Sequence, residues 1–187
     1  MSISKRLRYI AGLVTPGYVV ADIGTDHGYV PVFLLREGIV PRAIAVDVSA
    51  GSLSKAVELA QRAGLGSRME CRLSDGLQDV KPKEAECIII SGMGGILMRR
   101  ILDEGCETAE SARELILSPH RDPELIVEFL QEHGNESTEN WNGNVFVGDE
   151  VKGQCAGIAW SGRRWVLLHC GASPPPHAVS LSPVGNS

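Results

Sequence analysis

Acidic side chains, glycines or both stand at four places where an apolar segment of the chain ends. These places are 22–28 (DIGTDHG), Asp47, 75–76 (DG) and 92–95 (GMGG). Glycine lets a ligand approach the backbone, and a carboxylate accepts hydrogen bonds from hydroxyl, amino and ammonium groups. A helix that begins after such a loop adds unpaired N–H groups. Together the four places predict a binding site for a small polar molecule.

The spacing of the first two places favours a ligand that contains ribose. Asp47 lies 23 residues after Gly24, close to the offset of roughly 20 residues at which an acidic side chain binds two ribose hydroxyls. That spacing alone fits NAD or any other adenosine-containing cofactor. Asp26 and His27 argue against a dinucleotide, because a pyrophosphate needs glycines and bare N–H groups here and a carboxylate repels it.

The remaining acidic residues favour a ligand without phosphate. Asp22, at the end of an apolar segment, suits an ammonium group, and Asp75 can accept a hydrogen bond from an adenine amino group. A ligand with adenine, ribose and an amino acid moiety, and with no phosphate, is S-adenosylmethionine. The residues therefore predict S-adenosylmethionine (SAM) as the cofactor.

Each of these residues also has an ordinary structural explanation. Gly24 and Gly28 fit a tight turn, Asp26 fits a helix cap, Asp47 fits a solvated strand end and 75–76 fits a turn. Four such features at successive strand ends are harder to explain by turns alone, so a binding site is the stronger hypothesis.

The elements that would position these residues are apolar strands separated by helices. Strands that are continuously apolar and alternate with helices indicate a parallel sheet covered on both faces. The sequence thus predicts a doubly wound α/β domain, in which ligands bind beyond the carboxyl ends of the strands. The predicted strands are 18–23, 43–47, 69–73, 86–91 and 115–117, and the predicted helices are 3–14, 29–37, 50–63, 96–104 and 122–133.

Length and composition fit one globular domain. The chain has 187 residues, of which 43% are hydrophobic and 22% charged, and a net charge of −5. No apolar run approaches the roughly 20 residues of a membrane-spanning helix, and 1–14 is too weakly apolar for a signal peptide, so we expect a cytoplasmic protein without membrane contact. The five cysteines form no CxxC pair, which predicts reduced thiols and no metal site. Because nucleic-acid-binding proteins are usually basic, RNA binding would need a local patch.

Several segments of the chain together resemble one bacterial enzyme family. They are 4–7 (SKRL), 22–31 (DIGTDHGYVP), 90–95 (ISGMGG) and 115–119 (LILSP), and the resemblance spans about residues 2 to 133. The family is that of the tRNA adenine-N1 methyltransferases of the TrmK type. The resemblance implies a class I, SAM-dependent enzyme with a Rossmann-like fold that methylates an adenosine in the D-arm region of tRNA.

The resemblance also implies which residues contact the cofactor. Each strand end would contact a different part of SAM. The methionine end would lie against Gly24, Asp26 and His27, the ribose against Asp47, the adenine against Asp75 and Gly76, and the sulfonium near Gly92.

Methylation at adenine N1 makes limited chemical demands on the protein. N1 carries its own lone pair, so the transfer needs a near-attack geometry rather than a base. The methylated base can then lose a proton from its exocyclic amine, which a carboxylate assists. Asp26 is the candidate catalytic residue and His27 the second, and positioning of the cofactor is the alternative role for both. A basic surface for tRNA is predicted from Lys5, Arg6 and Arg8 with Arg99 and Arg100.

The C-terminal part of the chain departs from the family. We expect 134–170 to form a divergent end of the sheet, with a strand pair at 145–147 and 165–169, and 171–187 to be a disordered tail. The family's charged strand pair and its helical, coiled-coil-like C-terminal domain are expected to be absent. A frame-shifted end is one hypothesis for this difference.

Other functions stay open beside tRNA methylation. A class I methyltransferase could act on a small molecule or a protein, and a catalytically silent domain could bind SAM alone. An NAD-dependent oxidoreductase is disfavoured by Asp26 in the position of a phosphate-binding loop. The sequence predicts no oligomeric state.

Overall fold

The fold is described from a computed structural model of the chain. It describes residues 3–133 and, beyond them, the backbone of 141–147, 150–160 and 163–167. In chain order, the elements in these ranges are α1 (Lys5–Leu13), β1 (Val20–Ile23), α2 (Tyr29–Arg36), β2 (Ala43–Asp47), α3 (Ala50–Arg62), β3 (Met69–Leu73), β4 (Cys87–Met93), α4 (Gly95–Glu104), α5 (Cys106–Ser111), β5 (Glu114–Pro119), α6 (Glu124–His133), β6 (Trp141–Val147), β7 (Glu150–Trp160) and β8 (Arg163–Leu167).

The strands form one sheet in the order β3-β2-β1-β4-β5-β8-β7-β6. Strands β1 to β5 are all parallel, and β8 continues the parallel part beside β5. Strands β7 and β6 complete the sheet as antiparallel strands. Strand order reverses at β1, which lies between β2 and β4, so the carboxyl ends of β1 and β4 flank the crevice where ligands bind in such sheets. The predicted doubly wound, mostly parallel α/β fold is confirmed.

The core consists of two apolar layers, one on each face of the sheet. Successive strand residues point to opposite faces, and β4 shows this directly. Ile89 packs in the layer with Leu34 of α2, whereas Ile88 and Ile90 pack in the other layer with Met98 of α4. Because both faces are covered, β1 and the first four residues of β4 are buried throughout, and the site must lie at the edge where the strands end.

Helix boundaries follow from recognisable caps. Ser4 accepts a hydrogen bond from the Leu7 amide at the start of α1, and Ser49 accepts one from the Ser52 amide at the start of α3. Pro31 is the third residue of α2, where its missing N–H costs no helical hydrogen bond.

Some predicted details are wrong. The helical spacing of Leu53, Val57 and Ala60 predicts that all three share the buried face of α3, but Val57 is 36% exposed and Ala56 is buried instead. Strand β4 extends two residues beyond the predicted end, to Met93, and α5 was not predicted at all. Helix α5 has six residues, too few to show a helical period in the sequence.

The C-terminal strands differ in part from expectation. The expected strands at 145–147 and 165–169 correspond to β6 and β8, but β7 between them was not predicted. Its glycines, Gly153 and Gly157, weaken the sequence pattern of a strand. The expectation that this part of the chain forms the end of the sheet is confirmed for β6, β7 and β8. The tail predicted for 171–187 lies outside the described residues.

The helices of residues 3–133 are short. None of them has the length and apolar character that crossing a bilayer requires.

Candidate functional site

The loop after β1 has a tightly defined backbone. Gly24 and Gly28 have φ values of 71° and 73°, and Asp26, at 54°, is one of the few described residues with a side chain in this left-handed region. The Gly24 and Thr25 amides both donate to the Val46 carbonyl at 2.9 Å. The loop is thus fixed to the end of β2 before any ligand binds.

Asp22 lies beneath this loop. Its carboxylate is 3% exposed and accepts a hydrogen bond of 2.6 Å from the Thr25 hydroxyl. Burial raises the pKa of Asp22 to about 6, the Thr25 hydrogen bond opposes that rise, and the Asp47 carboxylate adds to it. Asp22 therefore supports the loop from inside, and the predicted contact with an ammonium group stays a prediction.

Asp47 stands at the end of β2 and faces the same loop. Its Oδ2 accepts a hydrogen bond from the Asp26 amide at 2.9 Å, and its Oδ1 accepts one from the Ser49 amide at 2.8 Å. Two backbone donors fix the orientation of the carboxylate, while each oxygen keeps a further lone pair for a ligand hydroxyl.

The Asp26 and His27 side chains lie against each other at the mouth of the loop. Asp26 Oδ1 is 2.7 Å from His27 Nδ1, and the Asp26 side chain is 69% exposed. The Lys55 ammonium lies 3.0 Å from His27 Nε2. Since an ammonium group only donates, Nε2 accepts and the ring proton is on Nδ1, an atom that is buried and in contact with Asp26 but makes no hydrogen bond of normal geometry with a described residue. The His27 ring stacks on Tyr29 at 5.7 Å, which orients the pair.

Asp75 and Gly76 follow β3 and contact α4. Both Asp75 oxygens accept hydrogen bonds from Arg100, at 2.9 and 3.0 Å, and this contact holds the pKa of Asp75 below its ordinary value. Gly76 has φ 60°, and a Cβ there would lie 2.9 Å from Ile101 Cγ1. The turn is thus held close to α4, and an adenine amino group would share Asp75 with Arg100.

A cavity of about 610 Å³ opens beside Gly92, at the ends of β4 and β5. A Cβ on Gly92 would lie 3.6 Å from Arg6 Nη2 and 3.7 Å from His120 Nε2. The cavity is therefore close to Arg6 and His120, and Arg100, which pairs with Asp75 after β3, also lines it. Residues that line it include Gly92, Met93, Ile96, Leu97, His120 and Arg121.

Met93 lies between the two halves of this edge, which are the acidic half with the carboxylates after β1, β2 and β3 and the half with the cavity. A Cβ on Gly24 would lie 2.8 Å from Met93 Cε, so the Met93 side chain reaches the loop after β1 while its residue also lines the cavity. The structure thus brings the loop 22–28, Asp47 and Gly92 to one edge, with 75–76 linked to it through Arg100. A ligand bound at the acidic half would present one end to the cavity.

His120 and Arg121 are cavity residues that the sequence analysis missed. They follow β5 directly, so the rule that picked the residues after the other strands would have included them. They were missed because no glycine follows the strand end in 118–122 (SPHRD) and its one acidic residue, Asp122, comes only after His120 and Arg121.

The predicted basic surface is wrong for two of its five residues. Arg99 forms an ion pair with Asp103 and another with Glu132, and Arg100 forms ion pairs with Asp75 and Glu104. Their charges are compensated within the fold. Arg6, in contrast, donates a hydrogen bond to His120 and lies at the cavity.

A second polar cluster joins α5 to α6, away from this edge. Cys106 Sγ lies 3.4 Å from Glu110 Oε1, and His133 Nδ1 lies 3.0 Å from the same oxygen and 3.5 Å from the sulfur. Burial and the Glu110 carboxylate raise the pKa of Cys106 to about 11, so the thiol is protonated at neutral pH and donates. The three side chains thus satisfy one another, a contact that their sequence separation did not indicate.

Comparison with known proteins gives consistent similarities. A family model described as a methyltransferase domain matches residues 3–140. A curated relative, the tRNA (adenine(22)-N(1))-methyltransferase of Bacillus subtilis, is 36% identical over 130 residues, which are 70% of this chain and 55% of the relative. The chain thus spans about half the length of that relative.

Solved structures give the same result. The Bacillus subtilis M1A22 tRNA methyltransferase TrmK superimposes with a TM-score of 0.69 at 30% identity, over 87% of this chain and 63% of that one. A candidate tRNA (m1A22) methyltransferase of Streptococcus pneumoniae, solved in complex with S-adenosyl-L-methionine, superimposes with a TM-score of 0.68 at 32% identity, over 87% and 70%. The resemblance inferred from the sequence is confirmed.

Proposed function

The chain belongs to the methyltransferase domain family, and we propose that it transfers a methyl group from SAM to N1 of an adenosine in tRNA. The observation that carries the proposal is the edge of the sheet at which carboxylates stand after β1, β2 and β3. A cavity that can hold a second molecule opens at the same edge, beside Gly92. The similarity to the tRNA m1A22 methyltransferase of Bacillus subtilis and to the candidate enzyme of Streptococcus pneumoniae supports the same substrate.

The chemistry of the acidic half fits SAM. When bound, SAM supplies a methyl group on an electrophilic sulfonium. Asp47, held by two backbone amides, is proposed to bind the ribose hydroxyls, and Asp75 with Gly76 the adenine. Gly24, Asp26 and His27 are proposed to contact the methionine end, with Asp22 beneath the loop and Gly92 near the sulfonium. A diphosphate would be repelled by the Asp47 carboxylate, whose described hydrogen-bond donors are neutral backbone amides.

The protein's own contribution to transfer is position and exclusion of water. N1 of adenine attacks through its lone pair, so the chain has to hold the two molecules in line. Methylation leaves the base cationic, and Asp26 is proposed to accept the proton that the exocyclic amine then loses. Its carboxylate is exposed at the loop, and His27 is the second candidate.

The domain organisation is also part of the proposal. We infer one SAM-binding domain over residues 1–170, since β8, β7 and β6 continue the sheet that carries the site. The tRNA substrate must expose its target base by flipping or by loop geometry, because N1 is otherwise paired or stacked.

Methyl transfer to RNA tests the function directly. Incubation with labelled SAM and total tRNA, followed by nucleoside analysis, is expected to yield labelled 1-methyladenosine. Asp47→Ala is expected to weaken SAM binding at least tenfold in calorimetry, since a ribose loses a charge-assisted acceptor worth roughly 1.5–3 kcal/mol. Glu128→Ala, which removes an exposed carboxylate of α6, is the matched control.

The outcomes separate the alternatives. SAM binding without methylation of tRNA would contradict the proposal and favour a small-molecule or protein acceptor, or a silent SAM-binding domain. Binding of NAD in place of SAM would overturn the cofactor assignment.

A further inference from the structure

The cavity beside Gly92 has an apolar wall that the proposed cofactor site does not use. Ile96 is 70% exposed and Leu97 is 41% exposed, and both line the cavity with Met93. Large aliphatic side chains exposed together at a concave surface indicate a binding site. Their flat, uncharged wall suits the face of a base.

Positive charge also borders the cavity. Arg6 of α1 donates from Nη1 to His120 Nε2 at 3.2 Å, and Arg121 lines the cavity next to it. Within the described residues, neither Arg6 nor Arg121 forms an ion pair with a carboxylate. Both differ in this respect from Arg100, whose charge Asp75 and Glu104 compensate.

His120 is a neutral partner for Arg6. Burial lowers the pKa of His120, and the charges of Arg6 and Arg121 lower it further, so the imidazole is uncharged at neutral pH. Since a guanidinium only donates, Nε2 accepts and the ring proton is on Nδ1. The pair therefore keeps a full positive charge on Arg6 and fixes where that charge lies.

The loop that carries His120 is joined to the end of β4. The His120 amide donates to the Met93 carbonyl at 2.9 Å, and the Gly95 amide donates to the Arg121 carbonyl at 2.8 Å. A Cβ on Gly95 would lie 2.1 Å from the Asp122 carbonyl oxygen, so the two loops are in direct contact. Asp122 also lines the cavity, on the loop beyond Arg121. His120 is thereby held beside Gly92.

We propose that this cavity takes the target nucleotide of the RNA substrate, with Ile96 and Leu97 against the base and Arg6 bound to its phosphate. His120 is a positioning residue, which acts by holding the Arg6 guanidinium. The inference rests on the proposed function and adds the residues that bind the methyl-accepting nucleotide. Exposed aliphatic side chains together with a guanidinium that has no carboxylate partner among the described residues match a nucleotide, whose base is flat and whose phosphate is anionic.

Steady-state kinetics with tRNA test the assignment. Arg6→Ala is expected to raise the KM for tRNA about tenfold and to leave the Kd for SAM within twofold, because it removes one charge-assisted phosphate contact. Arg36→Ala is the matched control, since it removes the same charge at the C-terminal end of α2, the end remote from the carboxyl edge of the sheet. It is expected to change the KM less than twofold.

Substitutions at His120 test its positioning role. His120→Leu removes the acceptor and is expected to raise the KM about fivefold, whereas His120→Gln keeps an acceptor oxygen and is expected to restore most of that loss. If His120 were only structural, the two variants would have the same KM for tRNA, provided that both melt at the wild-type temperature.

The result that overturns the inference differs from the result that overturns the function. If the wild-type chain forms 1-methyladenosine but Arg6→Ala and Arg36→Ala have the same KM, the acceptor site is elsewhere. Equal KM values for His120→Leu and His120→Gln would exclude the positioning role. Absence of 1-methyladenosine from wild-type reactions would overturn the proposed function itself, and this inference with it.

Discussion

Asp22 is a buried carboxylate whose ionisation opposes folding. Its folded pKa of about 6 lies above the ordinary value of 3.8, so the folded state holds a proton more tightly than the unfolded chain. The associated stability is fully present below about pH 4 and is lost as the pH rises through 6. At neutral pH and above, the ionised group costs roughly 2–3 kcal/mol. Functional sites commonly retain such groups, because binding requires them.

Asp22→Asn is therefore expected to stabilise the protein in a pH-dependent way. The amide keeps an acceptor for the Thr25 hydroxyl and removes the charge, so the gain should be about 1–2 kcal/mol at pH 8 and about 1 kcal/mol smaller at pH 5. Denaturant unfolding of both proteins at the two pH values measures it.

The control for Asp22 is a carboxylate of the same loop that is not buried. Asp26→Asn changes an exposed side chain, so its effect on unfolding free energy should be small. A gain for Asp22→Asn that is equal at pH 5 and pH 8 would contradict the assignment of the cost to ionisation.

At the scale of elements, the sequence was sufficient to predict strands, and the site residues at their ends, where an apolar run ends clearly. Strands β2 and β3 begin and end as predicted, and Asp47 was found because a strand end is visible as the end of an apolar run. Helix α5 and strand β7 were missed because a short polar helix and a glycine-containing strand have no distinct period.

Contacts between distant elements were beyond prediction. The Arg6–His120 hydrogen bond joins residues 114 positions apart, and it depends on how α1 lies against the loop after β5. The ion pairs of Arg99 with Glu132 and of Arg100 with Asp75 likewise depend on the packing of α4 beside α6 and the turn after β3. No local pattern encodes these two pairs, whereas the pairs with Asp103 and Glu104 have the i,i+4 spacing of helix neighbours and were visible in the sequence.

Gly28, at the start of α2, lies in close contact with α3, and this contact leads to a prediction. Gly28 has φ 73°, and a Cβ there would lie 2.8 Å from Ala56 Cβ and 3.2 Å from Ala56 Cα. Gly28→Ala must therefore strain the backbone and push the loop from α3. We expect a loss of about 2–4 kcal/mol in unfolding free energy, from a left-handed alanine plus overpacking.

Gly12→Ala is the matched control for Gly28→Ala. Gly12 lies inside α1, and a Cβ there meets nothing within 4 Å. The same chemical change should raise the unfolding free energy by up to about 1 kcal/mol, through helix propensity. Equal effects of the two substitutions in thermal unfolding would show that Gly28 is not required by its geometry.

The whole molecule has the opposite charge to a typical RNA-binding protein. The net charge is −5, and within residues 3–133 the charges of Arg99 and Arg100 are compensated by carboxylates, so these two arginines attract phosphates weakly. The cavity beside Gly92, with Arg6 and Arg121, is a local exception within residues 3–133. RNA binding by this chain should therefore depend on few ionic contacts and respond weakly to salt.

The salt dependence of tRNA binding tests that expectation for the whole molecule. Each phosphate contact contributes about 0.7–0.9 to the slope of log Kobs against log salt concentration, so wild-type chain should show a slope of about −1 to −3. Arg6→Ala with Arg121→Ala should flatten it by about 1.5. The double variant of Arg36 and Arg62, which removes the same charge from the last turns of α2 and α3, should leave it unchanged. A wild-type slope steeper than about −6 would mean that the phosphates contact another surface, because the cavity alone offers too few cations for it. Equal slopes for the two double variants would mean the same, because removal of Arg6 and Arg121 would then have no specific effect.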